Sequence, residues 1–195
     1  MTDEGDTTTA PADGTQTASA DGDWIGRPLA DFLASVDYPT SYEMRSSGAP
    51  GDGYTLMLLE GREAQKVKIV EGERWMLIDV PEETMYGYAG REEVITRIAL
   101  DDLGAVADPN ASADREAKIL REETVDGYDC WVVRGSCVGP ENDIWVDRDV
   151  GLVRQVRRDS GDVTKFEYAR INEVPESEFE LPAGMPIKER SPGGG

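Results

Sequence analysis

Histidine is absent from this 195-residue chain, and cysteine nearly so. Without histidine the chain lacks the commonest general base, the commonest metal ligand and every histidine-dependent catalytic triad. Cys130 and Cys137 are too few for a zinc site, which needs about four nitrogen or sulfur ligands, and they lack the CxxC spacing of a redox motif. We therefore expect no enzymatic activity, no cofactor and no metal site.

The sequence leaves open whether the two cysteines form a disulfide. Seven extended residues span roughly 23 Å, so a bridge would require the chain to turn back near residues 134–136. The alternative is a core cysteine at Cys130, inside a strand, and a free loop cysteine at Cys137.

Basic residues are scarce, with 20 against 40 acidic ones and a formal net charge of −20. A phosphate backbone requires a basic protein face, so this balance excludes ordinary nucleic-acid binding. An anionic membrane surface would repel the chain as well. Adjacent acidic pairs such as Glu82-Glu83 are expected by chance at this composition, and no Asp-x-Asp-x-Asp-Gly calcium loop is present.

Large apolar residues are missing from residues 2–23, which contain six acidic residues and no basic one. Removing this segment from the total leaves −14 on the remainder, so the rest is acidic in its own right. A segment of this composition buries too little apolar surface to fold, and we expect residues 1–23 to be a disordered tether. No basic n-region or apolar h-region precedes it.

Two interpretations of this leader stay open. Either the protein is cytosolic with a flexible start, or a signal segment has been removed and the leader links a membrane anchor to the domain. The Thr- and Ala-rich composition before an all-β domain favours the second. We expect an extracytoplasmic protein, in the periplasm or at the cell surface, that associates with a membrane only through such an anchor.

The folded part begins with one predicted helix. Residues 28–36 place Leu29, Phe32, Leu33 and Val36 at i, i+3, i+4 and i+7, and Pro28 suits a first helical turn. From Tyr42 onward the period changes to two, which predicts a meander of short strands separated by turn residues.

A second helical segment is predicted within residues 92–103, where Val94, Ile95, Ile98 and Leu103 follow helical spacing. The meander then resumes from residue 117 to Ile171. About ten strands in total form an antiparallel sheet that is expected to curl, because open sheets of this size rarely stay flat. The fold class is therefore mainly β (α+β), an incomplete barrel with an N-terminal helix and a helical lid.

Three stretches of the second half resemble the LolA-like family of lipoprotein carriers and outer-membrane lipoprotein-sorting proteins. They are Glu123 to Val133 (ETVDGYDCWVV), Ile144 to Leu152 (IWVDRDVGL) and Pro175 to Pro182 (PESEFELP). The family patterns are G-x-x-C/a-y-v-v, W-v-D-x-x-x-g-L and i-p-d-s-x-F-x-l-P, in this order and spacing. The resemblance extends from about Trp24 to Pro186, although the first half matches by pattern only.

The resemblance implies a strongly curved half-barrel around a hydrophobic cavity that holds acyl chains or another apolar ligand. It also implies domain boundaries: a half-barrel over residues 24–187 and a flexible tail over 188–195. The cavity candidates are the large apolar residues of the predicted inner face and its helices: Phe32, Leu33, Met57, Leu59, Val67, Ile69, Met76, Ile78, Tyr86, Ile95, Ile98, Trp131, Val133 and Trp145.

Two hypotheses of function follow. The first is a monomeric, membrane-tethered domain that binds a hydrophobic ligand or a lipidated protein non-covalently in the cavity. The second is a protein-interaction or envelope-sensing module in which helices fill the concave face and no small ligand binds. An exposed apolar patch or an unpaired edge strand would favour the second.

Overall fold

The structure, a computed structural model, describes residues 23–47, 53–91, 93–100, 117–135 and 142–190. Its elements in chain order are α1 Leu29–Ser35, β1 Ser41–Ser46, β2 Tyr54–Glu60, β3 Glu63–Glu71, β4 Arg74–Asp79, β5 Thr84–Tyr88, β6 Ile95–Ala99, β7 Ile119–Val125, β8 Tyr128–Gly135, β9 Asn142–Asp147, β10 Val153–Arg158, β11 Val163–Ala169, a 3-10 helix Glu176–Phe179 and β12 Ile187–Glu189. No helix in these ranges is both long and apolar enough to cross a bilayer.

The strands form one curved, open sheet that does not close into a barrel. Its order is β12-β6-β5-β4-β3-β2-β1-β11-β10-β9-β8-β7, so the two consecutive meanders, β1–β6 and β7–β11, meet where β1 pairs with β11. Neighbouring strands are antiparallel except β12, which runs parallel to β6. The predicted mainly β, curved antiparallel sheet is confirmed, with twelve strands where about ten were expected.

Helix α1 forms where the apolar spacing predicts it, directly after Pro28. Leu29, Phe32 and Leu33 are its buried residues, and they pack against Trp131 and the residues around it in the second meander. Burying each of these side chains stabilises the fold by about 1.5–3 kcal/mol. A helix of seven residues is too short to persist alone, so this packing holds it in place.

The predicted helical lid is wrong where the structure describes it, because Ile95–Ala99 forms strand β6. Ile95 and Ile98 point to opposite faces of this strand, and each finds apolar neighbours there: Ile95 lies opposite Tyr88 and Ile98 opposite Met85. Two apolar residues three positions apart on opposite faces of a strand have the same sequence spacing as i, i+3 residues on one face of a helix. Residues 92 and 101–103 of the predicted lid lie outside the described residues.

The register divides the first meander into two faces, because residues paired across antiparallel strands point to the same side. We call the side on which α1 packs the helix face and the other side the opposite face. Phe166 packs against the cluster under α1, so it lies on the helix face. Ser46 pairs with Phe166 and lies on the same face, and Met44 is two residues away on the same strand. Met44 and its partners across β1–β6 therefore lie on the helix face.

The opposite face of β2–β5 is covered by the chain around the 3-10 helix. Val174 and Phe179 are buried there against Leu56 and Leu77. The Lys68 ammonium donates a hydrogen bond of 2.6 Å to the Glu178 carbonyl oxygen, which fixes this segment to the middle of β3. The third family-like stretch, Pro175 to Pro182, thus acts as a cover with Phe179 as its anchor.

The second family-like stretch builds the β9–β10 turn. The Asp147 carboxylate accepts hydrogen bonds from the backbone N–H of Asp149 at 2.8 Å and of Val150 at 3.3 Å. It also forms a buried ion pair with Arg154, at 2.7 Å from Nη2. Gly151, with φ of +70°, lies where a Cβ would approach the Val36 side chain to 3.0 Å. These residues therefore shape the turn against the end of α1.

The ends of the chain depart from expectation in one respect. Residue 188 was predicted to begin a flexible tail, whereas Ile187–Glu189 forms β12 on the edge of β6. The predicted tether, up to residue 22, and Cys137 lie outside the described residues. Cys130 is a free, fully buried thiol in β8.

Candidate functional site

A continuous row of apolar side chains crosses the helix face of the whole first meander. Each member pairs with the next across the sheet, from β1 to β6. This first row consists of Tyr42, Met57, Val67, Ile78, Met85 and Ile98. Two residues further along the strands, a second row includes Met44, Ile69 and Met76. We call the two rows together the apolar strip. No other face of the described sheet is apolar across six consecutive strands.

Methionine is concentrated on this surface. Four of the six methionines of the chain, Met44, Met57, Met76 and Met85, belong to its hydrophobic cluster. Three of them, all except Met57, are only partly buried. Methionine side chains are unbranched and polarizable, so they adapt to ligands of different shape. The strip therefore offers an apolar surface that can rearrange around a guest.

Helix α1 covers the second meander. The central strip residues Tyr42, Met57, Val67 and Ile78 are also buried, at 0–7% exposure, in a cluster that includes Tyr38, Val150 and Leu152. Phe32 packs edge-to-face on Trp131, with ring centroids 6.2 Å apart, and Trp24 packs in the same way on Phe32 at 5.7 Å. The helix contributes buried residues to this cluster and none to the cluster of the strip. The helix face of β8–β10 is thus an ordinary filled core.

The structure divides the candidate cavity residues among three places. Seven lie on the helix face of the first meander: Met57, Leu59, Val67, Ile69, Met76, Ile78 and Ile98. Four belong to the core under α1: Phe32, Leu33, Trp131 and Val133. The expectation that all of them face one cavity is wrong for Tyr86, Ile95 and Trp145, which lie on the opposite face.

A depression opens beside the strip at the β3–β4 hairpin. Its volume is about 190 Å³, and its lining includes Ile69 and Met76 from the strip's second row together with Trp75 and the charged pair Glu71 and Arg74. Ligand pockets in proteins usually measure about 300–1,000 Å³. A long apolar ligand would therefore have to displace methionine side chains as it enters.

Two larger depressions lie in the second meander, one with a mixed lining of charged and apolar residues and one with a mainly polar lining. One, of about 320 Å³, runs between the β7–β8 turn and β11. Arg154 stands in it with its guanidinium 3.6 Å from the centroid of the Tyr128 ring, and Lys165 bonds the Asp126 carboxylate at 2.8 Å. Sequence reasoning missed this group, because nothing in the spacing of these residues indicates that the hairpin tip reaches β11.

The second depression, of about 340 Å³, is lined by Cys130 and Thr124 together with the charged residues Glu122, Glu123, Asp129 and Arg148. Burial, together with the charge of Asp147, raises the pKa of the Cys130 thiol to about 12. The nearby Glu123 carboxylate accepts a hydrogen bond of 3.0 Å from the Trp145 indole, and Glu122 pairs with Arg148 at 3.3 Å. The reactive thiolate form of Cys130 is therefore scarce at neutral pH.

Metal binding finds no support in the described ranges, which contain no group of three acidic or cysteine side chains able to hold an ion. In the second meander, Glu122 and Asp147 pair with arginine side chains, and Glu123 accepts a hydrogen bond from the Trp145 indole.

Comparison with known proteins adds information about the fold. No protein-family model and no curated protein matches the chain. An uncharacterized conserved protein from Thermus thermophilus is similar in structure, with a TM-score of 0.52 and 11% identity over 83% of this chain and 97% of that one. The two chains share a fold.

Two further structures align less well. A DUF1329 family protein from Desulfovibrio piger gives a TM-score of 0.41 at 13% identity, over 78% of this chain and 94% of that one. The MucA/MucB complex of Pseudomonas aeruginosa gives 0.35 at 16% identity, over 82% and 60%. At these TM-scores neither alignment supports a conclusion about the fold or the function of this chain.

Proposed function

We propose that this chain binds an apolar ligand, an acyl chain or the lipid of a lipidated protein, non-covalently along the apolar strip. The observation that carries the proposal is the position of four methionines on one sheet face, three of them partly exposed. Helix α1 and the segment around Phe179 cover two other apolar surfaces of the described sheet. The central residues of the strip are buried as well, so a ligand would enter beside the partly buried Met44, Met76 and Met85.

The energetics suit binding without polar chemistry. Each buried CH₂ group of a ligand contributes about 0.8 kcal/mol, so a ten-carbon chain gains useful affinity from burial alone. Arg74, at the mouth of the depression beside Ile69 and Met76, is placed to contact an anionic head group. No step of this function requires a covalent intermediate, and we propose that the protein is not an enzyme.

The proposal includes a location outside the cytoplasm. A LolA-like, extracytoplasmic, monomeric domain tethered through its acidic leader would meet lipids or lipidated proteins in the periplasm or at the cell surface. The resemblance of the three stretches supports this lineage. Within these stretches, Cys130 is buried in β8, Asp147 holds the β9–β10 turn, and Phe179 anchors the segment that covers the opposite face. The stretches therefore support the fold and do not identify the ligand.

The alternative, a protein-interaction module with a filled core, receives less support from edge strand β7. Edge strand β7 carries Arg121, Glu122 and Glu123 in succession, and charges of this kind discourage pairing with another chain. The exposed large apolar residues of the described ranges each lie in a different segment of the chain: Ile25, Val80, Leu120, Tyr128, Val163 and Ile187. Neither edge β7 nor these side chains form the continuous patch that a stable protein interface needs.

Displacement of a fluorescent fatty acid tests the proposal. The full chain should bind the probe, and Met76→Glu should weaken binding at least about tenfold, because a charge on the strip must be desolvated when the ligand binds. Val163→Glu adds the same charge at an exposed apolar position outside the strip and should leave affinity unchanged. Equal affinities for the two variants, or no binding of the probe by the parent chain, would refute the proposal.

A further inference from the structure

Strand β12 is the least firmly held strand of the described sheet. All three of its residues are exposed, and Ile187 retains 49% of its surface accessible to solvent. It contributes no side chain to any of the hydrophobic clusters. Backbone pairing and one exposed ion pair, between Arg97 and Glu189 at 3.1 Å, therefore hold it on the sheet.

The strand covers only part of the edge to which it is paired. The ladder begins where the Ile95 N–H donates to the Pro186 carbonyl at 2.9 Å and ends where the Arg190 N–H donates to the Arg97 carbonyl at 2.9 Å. Strand β6 continues through Ile98 and Ala99. An extended segment longer than β12 could therefore form more ladder hydrogen bonds with β6 than β12 does.

We propose that the β6 edge is a docking site for an extended peptide of a partner protein, and that β12 occupies it as a replaceable internal strand. The pairing of β12 defines the chemistry of the partner. Its peptide would run parallel to β6, with an apolar residue beside Ile95 and an acidic residue beside Arg97 two positions later. Strand addition of this kind takes affinity from the backbone and specificity from alternate side chains.

The competition between β12 and the partner makes the site testable in the full-length chain. In a parallel ladder, every second residue of a strand hydrogen-bonds to the neighbouring strand. Pro186 and Arg190 bond to β6, so Lys188, midway between them, makes the hydrogen bonds that lie between theirs. Lys188→Pro removes that N–H and weakens β12, whereas Lys188→Ala keeps it and serves as the matched control. The Lys188 side chain is exposed, so neither substitution disturbs the core.

The probe is a fluorescein-labelled synthetic peptide with the sequence of residues 186–190 followed by two valines, so that it spans all of β6. It should bind Lys188→Pro about tenfold more tightly than Lys188→Ala, because the apparent affinity rises with the fraction of molecules whose edge is free. A second peptide, with lysine replacing the glutamate that faces Arg97, should lose most of this affinity.

Equal binding by the two variants would overturn the proposal, and so would equal binding of the two peptides. Self-association of Lys188→Ala in sedimentation velocity, without peptide, would assign the edge to a second copy of the chain and also overturn it. If Lys188→Pro loses the native circular dichroism spectrum, Glu189→Lys against Glu189→Gln provides the comparison, since only the first places like charges beside Arg97. Glu189→Lys should then bind the peptide more tightly.

Discussion

Gly151 shows how one residue fixes the position of α1. It adopts a left-handed backbone conformation with φ of +70°, and a Cβ at this position would lie 3.0 Å from a Val36 methyl carbon and 3.2 Å from one of Leu33. Glycine is therefore required here both for its conformation and for the close approach of the turn to the helix.

Replacing Gly151 by alanine should destabilise the protein more than the same change at Gly127. Gly127 also has positive φ, at +89°, but a Cβ there meets nothing within 4 Å. The backbone effect of about 1–2 kcal/mol is common to both, and Gly151→Ala adds about 1–3 kcal/mol from overpacking against α1. Urea denaturation of the two variants measures the difference. Equal losses of unfolding free energy would show that α1 does not press on the turn.

Cys130 should behave as an inert core residue. Its pKa is raised to about 12, chiefly by burial, so the reactive thiolate is scarce at pH 8. In a Cys137→Ser background, a thiol reagent at pH 8 should modify Cys130 only after denaturant unfolds the protein. Rapid modification of the native protein would contradict the buried placement of this side chain.

The face of the sheet on which a single residue lies was the feature that the sequence predicted least well. Residues 130–133 are buried in succession, as are 144–147, because the sheet is covered on both sides in this region. A strand covered on both sides shows no alternation, so the sequence could not indicate that Trp131 and Trp145 lie on opposite faces. Only the register between β8 and β9 separates them.

Among the elements, the segment around the 3-10 helix depends most clearly on charge. Arg170 donates hydrogen bonds to the Glu178 carboxylate, one of them 3.2 Å long, and this lowers the pKa of Glu178 below its ordinary value of 4.5. Lys68, whose pKa is lowered by burial, binds the carbonyl of the same residue. The cover of the opposite face is thus attached by two cations.

The stability conferred by Glu178 should disappear in acid. A carboxyl group whose pKa is lowered by folding stabilises the protein fully above its unfolded pKa, and loses this effect as the pH falls through the folded value. Glu178→Gln should therefore lower the unfolding free energy at pH 7, and the difference from the parent should shrink below pH 4.5. Glu176→Gln, in the same 3-10 helix, is the control. A difference that is independent of pH would refute the ionic attachment.

Element types were predictable where one face alone is buried. Helix α1 and strands β1–β5 follow their apolar periods, and the turns between them carry glycine or acidic residues as expected. Strand β6 was mistaken for a helix because Ile95 and Ile98 are apolar on different faces. Strand β12 gave no signal, since three exposed residues that pair only through their backbone leave no apolar pattern.

At the scale of the whole molecule, the two meanders have different partners on the same face. The buried residues of α1 pack on the second meander, whereas the first meander carries the apolar strip, where Met44, Met76 and Met85 are only partly buried. The sequence predicted a curved sheet with an apolar face, and it could not predict which half the helix covers, because α1 has no sequence feature that pairs it with Trp131. The proposed ligand site is therefore narrower than the candidate cavity and lies in the first meander.

The most direct test of this account is the NMR spectrum of the protein labelled with ¹³C at its methionine methyl groups, recorded as a fatty acid is added. Signals of Met44, Met57, Met76 and Met85 should shift together, because these side chains line the strip. Met185, which precedes β12 and lies outside that cluster, provides the internal control and should stay in place. Strip signals that do not move at saturating ligand, or a shift confined to Met185, would contradict the account.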